Sequence, residues 1–123
     1  MLKNRTVLLV EDEYFIADDL ATALRSAGAK LMGPVATLEA ALDEMEVRGM
    51  PDMAILDINL RGENVFPLAD RLLERSVPVL FVTGYAVSAL PERYRNLPHV
   101  HKPSGEEAII QRLMEMSKGM EEA

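Results

Sequence analysis

Short aliphatic runs alternate with helix-patterned stretches along the whole chain, and this alternation restricts the fold more than any other feature. The runs are Thr6 to Val10, Lys30 to Val35, Met53 to Leu56, Val79 to Val82 and a short one around His99 to His101. Such repetition reads as successive βα units that build a parallel sheet. Right-handed crossovers then put helices on both faces. The expected architecture is α/β, a doubly wound five-stranded parallel sheet with about five helices.

The stretches between the runs carry their own start and stop signals. The first helix is expected from Glu13 to Ala27, with Ile16, Leu20, Ala23 and Ala27 facing inward and Gly28 as its stop. Thr37 can cap a second helix with Leu38, Ala41, Leu42 and Met45 inside, ended by Gly49 and Pro51. Asn64 can cap a third, which presents Val65, Leu68 and Leu72 at core spacing and holds Pro67 in its first turn. Pro91 and Pro98 leave only a short, irregular helix between Ala86 and Pro98. Ser104-Gly105-Glu106-Glu107 reads as a capping box for the last helix, whose core set is Ile109, Leu113 and Met116. Ile110 and Met114 on that helix fit either a partial core role or an exposed docking patch.

Polar residues sit where these strands end. Glu11 and Asp12 follow the first, Asp57 the third, Thr83 the fourth and Lys102 the fifth. A carboxylate at the tip of a buried strand is costly unless its charge is used. In an open parallel sheet the carboxyl ends converge on one edge, where ligands bind. Three acids, a hydroxyl and a lysine at that edge point to a divalent cation and a phosphoryl group.

Composition narrows the function further. The 123 residues suit one domain, 1–123, with a frayed tail at 119–123, and 49% hydrophobic content is too high for a disordered chain. A net charge of −7 argues against nucleic acid as a direct partner, since phosphate backbones need a basic face. There is no cysteine, hence no disulfide or thiolate chemistry. No apolar run spans a bilayer, and no signal-peptide pattern opens the chain, so a cytoplasmic protein with no membrane contact is expected.

The series Glu11-Asp12, Asp57, Thr83, Lys102-Pro103 resembles the receiver domain of two-component response regulators, over nearly the whole chain. That resemblance implies a flavodoxin-like (βα)5 fold with strand order 2-1-3-4-5. It implies that Asp57 is the phosphoacceptor, loaded from a phosphohistidine on a histidine kinase or a histidine phosphotransfer protein. It implies Mg²⁺ held by Asp12, Asp57 and the backbone carbonyl of Asn59, with Glu11 acting through water. Lys102 would pair with Asp57 and then with the phosphoryl oxygens, and Thr83 would donate its hydroxyl to them. A cis bond is expected before Pro103. Such a domain is a signalling switch that catalyses its own phosphorylation and dephosphorylation, with a downstream protein partner, rather than a classical enzyme.

The run Phe81-Val82-Thr83-Gly84-Tyr85 is similar to the Phe-Ala-Thr-Gly-Tyr signature of a subgroup of single-domain receivers, with Val82 in place of Ala. That subgroup is associated with bacterial stress signalling and HWE-type histidine kinases. Many of its members lack the aromatic switch residue of strand five, and His99 stands at that position here. The switch set implied is Thr83, Gly84, Tyr85, His99 and Pro103, acting through the loop after strand four.

Plainer readings accompany each assignment. Asp57 can cap a turn, and Glu11-Asp12 can be a charge pair favoured at a helix N-terminus. Thr83 can be an ordinary strand residue, Lys102 a solvated charge, and His99 and His101 structural. A receiver excised from a hybrid kinase stays open. A haloacid-dehalogenase-type phosphatase is disfavoured because Asn59 stands where its second acid is needed, and a pseudo-receiver is disfavoured by the complete acceptor set.

Overall fold

The computed structural model describes residues 2–58, 60, 62–84, 90–102 and 105–122, the side chains of residues 121 and 122 excepted. Its five strands are β1 (Thr6–Val10), β2 (Lys30–Val35), β3 (Met53–Asp57), β4 (Val79–Thr83) and β5 (His99–His101). All pair in parallel, in the order β2-β1-β3-β4-β5. Among the described residues the α-helices are α1 (Tyr14–Ser26), α2 (Leu38–Arg48), α3 (Phe66–Glu74) and α4 (Glu106–Glu122). A 3-10 turn, Glu92–Tyr94, lies in the connection from β4 to β5. The described connection thus holds one short turn, as the two prolines predict, and the α-helices number four rather than about five.

The helices split between the two faces. On one, α2, α3 and the 3-10 turn pack Ala41, Met45, Leu68, Leu72 and Tyr94 against Leu8, Val10, Leu56 and Phe81. On the other, α1 and α4 pack Leu20, Leu24, Ile109 and Leu113 against Val7, Leu9, Ile55 and Leu80. Because both faces are covered, β3 and β4 are buried along their whole length. That accounts for their uninterrupted apolar sequences.

Several sequence expectations shift in detail. The buried face of α1 is Ala17, Leu20, Ala21 and Leu24, while Ile16 is 37% exposed. Small Ala17 and Ala21 let the helix approach the sheet, so the inner face is rotated from the one read from helical spacing. Leu42 on α2 is likewise 37% exposed, whereas Ala41 and Met45 are buried. Thr37 caps α2 as expected, its hydroxyl accepting from the Ala40 N–H at 3.1 Å. Val65 occupies the cap position of α3, and the Asn64 carboxamide accepts from the Phe66 N–H at 3.0 Å. Ile110 and Met114 are partly buried against the α1–α4 core. The last helix continues through Gly119 and Met120 to Glu122, past the point where fraying is expected, and Met120 packs on that same core.

The one cis peptide bond among the described residues joins Gly33 to Pro34. Gly33 has φ +99°, and a Cβ there would lie 2.8 Å from the Val35 nitrogen and 2.9 Å from the Leu9 carbonyl oxygen. Glycine is therefore required at this point of β2. The expected cis bond before Pro103 and the Ser104 capping box lie outside the described residues. No helix among the described residues is long and apolar enough to cross a membrane.

Candidate functional site

The carboxyl edge of the sheet brings together the acids, the hydroxyl and the lysine singled out in the sequence. Glu11 and Asp12 leave β1, Asp57 ends β3, Thr83 ends β4 and Lys102 follows β5. Glu11 is 4% exposed, Asp57 1% and Thr83 fully buried. The backbone fixes these ends against one another. The Glu11 N–H donates to the Val35 carbonyl at 2.9 Å, the Ile58 N–H to the Val82 carbonyl at 3.0 Å, and the Lys102 N–H to the Thr83 carbonyl at 2.6 Å.

The Lys102 ammonium lies between two carboxylates. It donates to Asp57 Oδ2 at 3.0 Å and stands 3.5 Å from Glu11 Oε1. Glu11 Oε2 also accepts from the Glu13 N–H at 3.1 Å. One lysine does not neutralise this group of acids. Burial, a side-chain hydrogen bond with Asp57 and the Asp57 charge raise the Glu11 carboxyl from 4.5 to about 7, against the opposing pull of Glu13 N–H and Lys102. Burial works against the Lys102 ammonium, but its hydrogen bond and charge attraction to Asp57, with Glu11 adding to them, hold its pKa above the ordinary 10.5.

Glu11, Asp12 and Asp57 each present an oxygen within 4.8 Å of the others. Hard carboxylate oxygens with surplus negative charge, two of the three residues being buried, are a donor set suited to a small divalent cation. Asn59, expected to add its backbone carbonyl, lies outside the described residues, as do Tyr85 and Pro103 of the expected switch set. His99 is half-buried in register with Phe81, and its Nδ1 lies 3.1 Å from the Leu97 carbonyl oxygen.

This geometry has close relatives. A sequence profile of the response regulator receiver domain matches residues 7–114. The chain belongs to the response regulator receiver family. The receiver is 34% identical over 116 residues to the sensory transduction protein LytT of Bacillus subtilis, covering 91% of this chain and 48% of that protein. It therefore spans about half the length of that curated relative. Among solved structures, the BeF3-activated conformation of SdrG from Pseudomonas melonis Fr1 superposes with a TM-score of 0.75 at 35% identity, covering 93% of this chain and 97% of that one. The response regulator PhyR from Brucella abortus superposes with a TM-score of 0.72 at 26% identity, covering 95% of this chain and 50% of that one. Receivers as a family take phosphoryl groups from histidine kinases or phosphotransfer proteins and bind Mg²⁺ at an acidic pocket, and this acidic edge matches that role.

One polar cluster is not anticipated by the sequence reading. Tyr94 is 1% exposed, and its hydroxyl donates to Asp70 Oδ1 at 2.5 Å. Arg93 donates to Asp70 Oδ2 at 2.8 Å and to the Tyr94 hydroxyl. The Tyr94 ring stacks on Phe66 at 4.5 Å and meets Phe81 edge-on at 5.8 Å. This cluster ties the connection between β4 and β5 to α3. An aromatic residue between Pro91 and Pro98 was the only signal for it in the sequence.

Proposed function

We propose that Asp57 is the phosphoacceptor of this receiver. The observation that carries this reading is a buried carboxylate at the end of β3, held by Lys102 at 3.0 Å beside two further acids. In the transfer, an Asp57 carboxylate oxygen attacks the phosphorus of a phosphohistidine. The new O–P bond forms as the N–P bond breaks. The imidazole leaves with the electron pair and takes a proton from solvent. Lys102, already at the carboxylate, neutralises charge on the phosphoryl oxygens, and the Thr83 hydroxyl donates to one of them. A Mg²⁺ ion held by Asp12, Asp57 and the Asn59 carbonyl, with Glu11 behind it, would supply the positive charge this edge lacks.

The same arrangement supports reversal by water at Asp57, so the domain promotes both its own phosphorylation and its dephosphorylation. The SdrG structure is described as BeF3-activated, and beryllofluoride mimics a phosphoryl group on a carboxylate. This supports the same acceptor chemistry here. The run Phe81 to Tyr85 and the absence of an aromatic at His99 favour the Phe-Ala-Thr-Gly-Tyr subgroup, with an HWE-type kinase or a phosphotransfer protein as donor and a protein as output. Tyr14 and Phe15 follow the acid pair after Glu13 and are 73% and 80% exposed, which favours a protein donor approaching over α1. Thr83, Gly84, Tyr85, His99 and Pro103 form the proposed switch.

Incubation with a small acyl-phosphate donor and Mg²⁺, read by intact-protein mass spectrometry, tests the assignment. One added phosphoryl group is expected, absent in Asp57→Asn and reduced by chelator or by Asp12→Ala. Undiminished labelling of Asp57→Asn would refute the acceptor, and full labelling in excess chelator would refute the metal role.

A further inference from the structure

A groove of about 800 Å³ runs between α2 and α3, and Asp57 and Lys102 are not among the residues lining it. One wall carries Glu39, Asp43 and Glu46. Their i, i+4, i+7 spacing places them in a row along one side of α2. The other wall carries Arg71 and Arg75, four residues apart at the end of α3. All five are exposed.

Three other surface arginines find partners: Arg48 stands 3.8 Å from Glu44, Arg93 2.8 Å from Asp70 and Arg112 3.9 Å from Glu115. Among the described residues no ion pair crosses the groove. The acidic row and the arginine pair thus face each other without an ion pair between them. Leu42 and Met50, which line the same groove, are each 37% exposed.

We propose that this face docks a second copy of the chain about a two-fold axis. A partner of a single sign would attract one wall and repel the other. A partner bearing both signs in separate rows of matching pitch is required, and the groove itself is such a surface. Under a two-fold axis the acidic row of one protomer meets the arginine pair of its partner, and each pairing is made twice. Docking also covers Leu42 and Met50. The net charge of −7 opposes association at long range, but at about 0.15 M salt that repulsion is screened beyond roughly 8 Å while contact pairs are screened less. The interface leaves the Asp57 edge open, so the dimer remains able to accept a phosphoryl group.

Sedimentation velocity from about 10 µM to about 1 mM in that salt covers the range of weak interfaces. The wild-type chain should show a monomer–dimer equilibrium. Arg71→Glu/Arg75→Glu should weaken it at least about tenfold, as should Glu39→Arg/Asp43→Arg. Mixing these two variants should restore a heterodimer, because one then carries acids on both walls and the other bases on both. Lys3→Glu/Lys118→Glu changes the net charge as much as the first variant and should leave the equilibrium within about twofold of wild type. Thermal melts and labelling by the small phosphodonor show that each variant is folded. A wild-type chain monomeric throughout overturns the proposal. So does a dimer that survives Arg71→Glu/Arg75→Glu, a mixture that forms no heterodimer, or equal weakening by the Lys3/Lys118 variant. Because labelling of Asp57 is read separately, failure of the dimer and failure of the acceptor assignment are distinguishable.

Discussion

Replacing Glu11 by glutamine should stabilise the metal-free receiver at pH 8 and abolish most of the loss of stability that the wild type shows above pH 5. The reasoning starts from the Glu11 carboxyl, which is 4% exposed and raised from 4.5 to about 7. A folded-state pKa above the unfolded value means the folded chain holds its proton more tightly. That contribution is fully present below pH 4.5 and is lost as pH rises toward 7, because the unfolded chain ionises first. The shift is roughly 2.5 pH units, and each unit corresponds to about 1.4 kcal/mol. Wild-type stability should therefore fall by about 2–3 kcal/mol between pH 5 and pH 8 from this group alone. Lys102 does not mask the effect. Its pKa is raised above 10.5, so its contribution is constant below that value and is lost only as pH climbs through its folded pKa.

Glu11→Gln keeps an oxygen to accept the Glu13 N–H and removes the charge. Asp57 retains its bond to Lys102. Urea denaturation in chelator at pH 5, 6.5 and 8 gives both slopes. The variant should be nearly flat across this window and more stable than wild type at pH 8. Wild-type stability that is constant or rises from pH 5 to pH 8 would refute the argument, as would an unchanged slope in Glu11→Gln. Added Mg²⁺ should flatten the wild-type slope as well, since a cation at the acids favours their ionised forms.

Four further outcomes follow from the same contacts. Lys102→Ala leaves Glu11 and Asp57 without their shared cation and should cost about 3 kcal/mol at pH 8 by denaturation, together with most phosphodonor labelling. Asp12→Asn relieves close like charge and should melt higher than wild type in chelator, by the equivalent of about 1 kcal/mol. Tyr94→Phe keeps the ring stack on Phe66 but loses the bond to Asp70, for a cost of about 1–2 kcal/mol in urea. Gly33→Ala forces a left-handed backbone and a close approach to Leu9 and Val35, and should cost about 2 kcal/mol or more in a thermal melt.

The strands and the acidic edge were legible in the sequence because they rest on strong local signals. The runs Met53 to Leu56 and Val79 to Val82 are apolar without interruption, as strands buried on both faces must be. Glu11, Asp12, Asp57, Thr83 and Lys102 fall at strand ends, so a parallel sheet brings them together whatever the helices do. The inner face of α1 was less legible. Helical spacing allows several faces, and the one used depends on how closely Ala17 and Ala21 let the helix approach the sheet. The Asp70–Arg93–Tyr94 cluster was illegible for a related reason. Its partners stand 23 and 24 positions apart, and only the packed fold brings α3 beside the 3-10 turn. The α2–α3 groove belongs to the same class, since two charged rows on separate helices become one surface only in three dimensions.

Lys102 joins the chemistry of the edge to the sheet that carries it. Its side chain holds Asp57 and Glu11, and its backbone N–H holds the Thr83 carbonyl at 2.6 Å. A change at Asp57 therefore bears on the ends of both β4 and β5 through one residue. Under the proposed phosphorylation of Asp57, added charge and strong acceptor oxygens would give Lys102 and the Thr83 hydroxyl a new target together. The connection that follows Thr83 is anchored at its far end, where Leu90 and Tyr94 are buried and Tyr94 is bound to Asp70. With the 3-10 turn as a fixed point, rearrangement driven from Thr83 should reach Gly84 and spare Tyr94, so less of the span to Pro98 should move than its two prolines alone suggest. Amide exchange with and without beryllofluoride should show changes near Gly84 and β5 and little at Tyr94. Equal deprotection of the 3-10 turn would mean that the Tyr94 anchor releases, and that the whole connection switches as one unit.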